Sequence, residues 1–106
     1  MSLRIYRVAV RGRFADLTDD ARAQLVAEAP QHDTVSVGAF TDEGTFTYER
    51  AVDFFTFRFQ LRARGDDARA EAELDAIERA ERYLSGRGLG FRDLKVQATD
   101  MATVWD

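Results

Sequence analysis

The sequence predicts an α+β sandwich in one domain spanning residues 1–106, an antiparallel sheet of four or five strands with two helices on one face. Three observations lead there. Within Phe54 to Arg64 the run from Phe55 alternates without error: Phe55, Phe57, Phe59, Leu61 and Ala63 are apolar, whereas Thr56, Arg58, Gln60, Arg62 and Arg64 are polar, the period of a half-buried strand. Burying the four large side chains of that run supplies roughly 6–12 kcal/mol before ordering entropy is subtracted, more than any other segment offers. Two further runs, one before and one after this strand, carry apolar residues at helical spacing, and 106 residues suffice for one core without staples.

The elements follow in order. Leu3 to Arg13 alternates, with Tyr6, Val8 and Val10 on one side and Ile5, Arg7, Ala9 and Arg11 on the other; Gly12 ends or bulges this strand. Thr18 is an N-cap, Asp19 and Asp20 sit in the first turn where the helix dipole favours them, and Leu17, Ala21, Leu25 and Ala29 form the buried stripe. Pro30 stops that helix by Ala29. Thr34 to Thr41 alternates again, with Val35, Val37 and Ala39 inward, and is expected to pair through Asp42-Glu43-Gly44 with Thr45 to Arg50 as a hairpin. Phe46 and Tyr48 are the inward candidates there, and 45–64 is either two strands or one bent strand. A long helix from Asp66 to about Ser85 presents Ala70, Leu74, Ile77, Ala80 or Glu81, and Leu84 as its apolar stripe, with Glu78 and Arg82 spaced to pair. Gly86, Gly88 and Gly90 provide the turn into a last strand, Phe91 to Thr99, with Leu94, Val96 and Ala98 inward.

Strand, helix, three strand runs, helix, strand is the β-α-β-β-(β)-α-β order of a ferredoxin-like sandwich, in which the first strand lies between the phenylalanine strand and the last one. That placement makes three cationic faces neighbours. Arg7, Arg11, Arg58, Arg62 and Lys95 are therefore expected on the uncovered side of the sheet, where like charges across strands call for solvent, carboxylates or an anion. The helices have the opposite sign: positions 18–29 carry a net −2 and positions 66–85 a net −4, so the rest of the chain is +2.

Composition narrows the function classes. The net charge of −4 and the shortage of aromatics on the cationic face argue against nucleic-acid and anionic-membrane binding. Cysteine is absent, which removes disulfides and thiolate chemistry, and no metal-ligand cluster or cofactor motif is present. Without a signal peptide or an apolar span, a cytoplasmic location is expected. Fourteen of the fifteen basic residues are arginine, which codon bias in a GC-rich genome explains better than an arginine-specific role. His32 is the only histidine, on a loop beside Asp33; the pairs Asp19/Asp20, Asp42/Glu43 and Asp66/Asp67 have local capping roles, and serines 2, 36 and 85 lack an activating neighbour. Gly86-Arg87-Gly88-Leu89-Gly90 follows a helix and precedes a strand, the reverse of a phosphate-cradling loop.

The run Val8-Ala9-Val10-Arg11-Gly12-Arg13-Phe14-Ala15-Asp16-Leu17-Thr18, with Phe54-Phe55-Thr56-Phe57-Arg58-Phe59, resembles a family of small uncharacterised actinobacterial proteins along nearly the whole chain. The family implies no activity. Acylphosphatases are similar in plan, but Gly12 to Asp16 lacks their glycine-rich cradle and the chain has no asparagine to serve as their catalytic residue. Dimeric ferredoxin-like barrels, which face two open sheets together, offer a structural analogy.

The expected function is a non-enzymatic binding or interaction domain. It is expected to self-associate as a homodimer, through the open face, where Ile5, Ala9, Phe54 and Met101 mix apolar area among the arginines, or through a tail with Val104 and Trp105, and to accept a small anionic ligand on the cationic face. No catalytic constellation is recognisable. The alternative is a small enzyme on an anionic metabolite, with Arg7, Arg58 and Arg62 as clamps and His32 as base, which requires His32 to reach that face. A third reading has a polypeptide adding a strand to the edge formed by Thr34 to Thr41.

Overall fold

The computed structural model describes residues 3–101. Four strands, β1 (Leu3–Phe14), β2 (Thr45–Tyr48), β3 (Phe54–Arg64) and β4 (Phe91–Asp100), form one antiparallel sheet in the order β2-β3-β1-β4. Helices α1 (Asp19–Glu28), α2 (Thr34–Val37) and α3 (Ala68–Gly86) complete the α+β fold. β1 lies between β3 and β4, as the order of elements requires, and 45–64 is two strands joined by a turn at Glu49–Asp53. The tail residues Val104 and Trp105 lie outside the described residues.

Alternation decides which side of the sheet is covered. Tyr6, Val8 and Val10 of β1, Phe46 and Tyr48 of β2, Phe55, Phe57, Phe59 and Leu61 of β3 and Ala98 of β4 are all buried in one core with residues of α1 and α3. The phenylalanines stack against one another: Phe57 meets Phe46 at 4.8 Å and Phe55 at 5.7 Å between ring centres. The even-numbered side chains of β3 point away. Thr56, Arg58 and Gln60 are half-buried and Arg62 is exposed.

Thr18 caps α1 as expected, its hydroxyl accepting from the Ala21 N–H at 3.0 Å. α1 ends at Glu28, but the chain continues through Pro30 as a 3-10 turn, Ala29–His32, because a proline is tolerated in the first turn of a helix where its missing N–H has no partner to lose. The Glu28 carboxylate reaches Arg87 at 3.1 Å, tying α1 to the end of α3. That contact, with a further hydrogen bond from Gln24, holds the carboxyl below its usual range.

Two expectations are overturned. Thr34 to Thr41 is not a strand but a single helical turn and a wrap, with Val35 93% and Val37 39% exposed instead of inward. Asp33 is the reason: its carboxylate accepts from the Val35 N–H at 3.3 Å and its carbonyl from Ser36 and Val37, so local capping outcompetes the β-branched run. Of this segment's described backbone, Thr41 alone forms a β-bridge to the sheet, at Phe59 of β3. The strand-addition edge imagined at 34–41 therefore does not exist.

The stripe of α3 is also rotated. Ala68, Ala72, Ala76, Ala80 and Leu84 are buried, Ile77 is half-buried, and Ala70 and Leu74 face out, Leu74 at 58% exposure. The side-by-side phenylalanines already fill the core, so from Ala68 to Ala80 the helix approaches the sheet through methyl groups, and leucine at those four alanines would overpack it. With that rotation, Asp75 and Arg79 form the i, i+4 pair at 2.9 Å on α3.

After α3 the Gly88 N–H bonds the Ser85 carbonyl at 3.1 Å and the Leu89 N–H the Leu84 carbonyl at 2.9 Å, with Gly88 at φ +68° and Leu84 and Leu89 both buried. This is a Schellman stop, so the glycine-rich run is a connector. At the other end, Arg4 pairs with the buried Asp100 at 2.6 Å and Arg69 of α3 donates to the Ala98 carbonyl, clasping β1, β4 and α3 together.

Gly12 is a point of close approach. A β-carbon there would lie 2.6 Å from the Phe55 ring and 2.7 Å from Leu94. Gly12→Ala is expected to lower unfolding stability by about 1–3 kcal/mol, read from urea melts. The Tyr48 hydroxyl donates to the Leu25 carbonyl at 2.8 Å, and its pKa is pushed up to about 12, chiefly by burial and secondarily by the Glu28 charge. A folded-state value above the unfolded one means that stability is complete below about pH 10 and declines toward pH 12. Tyr48→Phe is expected to remove that alkaline component from both the tyrosinate absorbance titration and the stability profile. It also costs about 1–3 kcal/mol at neutral pH, because it orphans a buried carbonyl.

Candidate anion-binding face

The register of the sheet places the outward side chains in rows. Thr45, Arg58, Ala9 and Gln97 form one row across the four strands; Thr47, Thr56, Arg11 and Lys95 form the next; Phe54, Arg13 and Arg92 follow. Lys95 therefore stands directly opposite Arg11, a like-charge pair that calls for solvent, a carboxylate or an anion.

Around these rows the open side is concave. A trough of about 900 Å3 is lined by Arg11, Arg58 and Lys95, by the hydroxyl-bearing Thr34, Thr47 and Thr56, and by Ala9, Phe54 and Val96, with Glu49 and Asp53 also in its lining. Its wall on the β2 side is the wrap that follows His32: α2 packs on β2, and Phe40 lies on the same side of the sheet, its ring 5.5 Å from the Arg7 guanidinium. Thr47, on this nominally open side, is thereby reduced to 2% exposure.

Two of the cations are held in place before any ligand arrives. Arg58 Nη1 donates to Thr47 Oγ1 at 2.9 Å, and Thr47 Oγ1 in turn donates to the Thr56 carbonyl at 3.3 Å. The Arg11 guanidinium rests on the Phe54 ring at 5.0 Å, and Arg13 rests on the same ring at 4.9 Å. Among the described residues, neither arginine is tied to a carboxylate by a short ion pair.

The five cations expected on this side divide into three groups. Arg11, Arg58 and Lys95 converge on the trough. Arg7 is engaged by Phe40 one row further along, opposite Gln60 and Thr99. Arg62 lies opposite Ile5, four residues from Arg58 and so roughly 13 Å away by strand rise. Sequence alternation supplied the side of the sheet but missed Thr47, whose hydroxyl orients Arg58, and Phe40, which comes from a segment read as a strand.

His32 does not belong to this side. Its ring stacks on Tyr48 at 5.2 Å and meets Phe46 edge-on at 5.4 Å, both core residues, and its Nδ1 shares a hydrogen bond of 3.0 Å with the Phe46 carbonyl. It also sits 4.0 Å from Glu28. Among the described residues no group of three or more histidine, aspartate or glutamate side chains is placed to hold a metal ion, and no helix is long and apolar enough to cross a membrane.

No curated protein and no solved structure matches this chain. The family comparison does match, over residues 1–105, so that β1, the wrap, β3 and β4, and with them every residue of the trough, fall within the matched region. The chain belongs to the family of unknown function DUF6204.

Proposed function

We propose that this is a ferredoxin-like binding domain whose open sheet face takes a small organic anion, a carboxylate or phosphate with an apolar portion. The observation that carries the reading is the convergence of Arg11, Arg58 and Lys95, from three adjacent strands, on one concavity. At about 900 Å3 that concavity has the size of a site for a small organic molecule rather than for an inorganic ion alone. Its lining divides the work. The guanidinium of Arg58 is preoriented by Thr47 and offers a fork to a carboxylate or phosphate, Lys95 supplies a point charge, and Ala9 and Phe54 take the apolar part.

Binding rather than turnover is the reading the geometry favours, because the base that the enzymatic alternative needs, His32, is packed among core aromatics on the other side of β2. The sheet order, the antiparallel pairing and the placement of α1 and α3 on one side support the ferredoxin-like assignment.

Isothermal titration with citrate and with pyrophosphate, at constant ionic strength, tests the reading. Arg58→Gln is expected to weaken binding about tenfold or more, the loss of one charge-assisted contact. Arg62→Gln, on the same strand and the same side but outside the trough, is expected to change it less than twofold. Equal effects of the two would refute a localised site.

A further inference from the structure

We propose that the open face is closed by a second copy of this chain, related by a two-fold axis over the trough, and that an anion held between the copies is what makes closure favourable. This rests on the anion-binding reading and names its partner.

The first observation is where apolar surface is left uncovered. Of the six large hydrophobic residues exposed among the described residues, Leu3, Val35, Val37 and Phe54 belong to the open face and its rim, and only Leu74 and Tyr83 to α3. Val35, at 93% exposure, is left uncovered by the described residues, although the short helix carrying it is held in place by the Asp33 cap and its packing on β2. An apolar rim around a polar floor is the distribution that a mating surface requires.

Area is sufficient. Strands of 12, 4, 11 and 10 residues present a face of roughly 600 Å2 per copy at ~3.3 Å rise and ~4.8 Å spacing. Two copies then bury roughly 1,200 Å2 before the rim is added, the lower bound of a specific interface. Closure selects the geometry: helix segments carrying −6 repel one another, a sheet-on-helix contact of opposite charges would propagate, and a two-fold contact of sheet on sheet closes.

Charge also sets the condition. Face to face, Arg11, Arg58 and Lys95 of both copies would be enclosed with only Glu49 and Asp53 of each in the lining, an excess of cations in a space losing its water. An anion bound there offsets the excess, so anion binding and dimerisation strengthen each other by the same factor.

Sedimentation velocity of the full chain from 1 to 100 µM, at matched ionic strength in chloride with and without pyrophosphate, tests this alongside titration calorimetry. Pyrophosphate is expected to tighten the dimer at least tenfold. The double variant Val35→Gln/Val37→Gln is expected to weaken the dimer at least tenfold while pyrophosphate still binds, at lower affinity; Leu74→Gln, on the helix side, is expected to change it less than twofold. A strict monomer at every concentration, with pyrophosphate binding intact in the calorimeter, overturns the dimer and leaves the anion site standing. A dimer that ignores pyrophosphate, with no heat of binding, overturns both. Growth beyond the dimer, or sensitivity to Leu74 rather than Val35 and Val37, overturns the two-fold geometry.

Discussion

Everything in this molecule follows from the strict two-sidedness of β3. Its phenylalanines at 55, 57 and 59 are almost completely withdrawn from water, and each intervening position is thereby forced to the opposite side of the sheet. A shift of one residue would bury Arg58 and Arg62 beneath α3 and expose three aromatic rings, at a cost far beyond the marginal stability of a 106-residue domain. The core thus determines where the cations go. Arg58 is on the trough floor because Phe57 and Phe59 are not.

The same crowding shapes the helix above. A sheet face furnished with large rings leaves little room, and the run Ala68, Ala72, Ala76 and Ala80 lets α3 come close enough for dispersion contacts to accumulate. In this pair the bulky partner is the strand and the small partner is the helix. That division explains why Leu74 and Tyr83 remain partly wet, whereas Leu84 is buried past the end of the alanine run.

What could be read in advance was whatever repeats. Alternation over β1, β3 and β4 located the sheet, its buried side and the cations, and Thr18 and Gly88 marked two helix ends by local chemistry. Elements failed where two local signals competed. At Thr34 to Val37 alternation of β-branched residues said strand, whereas Asp33 offered its carboxylate and carbonyl to the next N–H groups, and a short segment obeys the contacts nearest to it. On α3 the large residues suggested the stripe, but the volume available opposite them decided it, and that volume belongs to a strand distant in sequence. The trough itself was half visible: alternation gives a side, whereas concavity depends on a wrap whose path no periodicity encodes.

Gly12 and Asp93 bear on a hazard that such a sheet carries. The pairing of β1 with β4 slips between Arg11 and Arg13, and Asp93, opposite this slip, adopts φ +58°. β4 is an outer strand of ten residues, long enough to template growth of the sheet by copies lying alongside. An irregular backbone, bent at Asp93 and flanked by Arg92 and Lys95, interrupts the row of donors and acceptors that an incoming strand would match. In a chain with three phenylalanines in five residues, the device that works against edge pairing is thus a local kink at the sheet's border, with the core left undiluted.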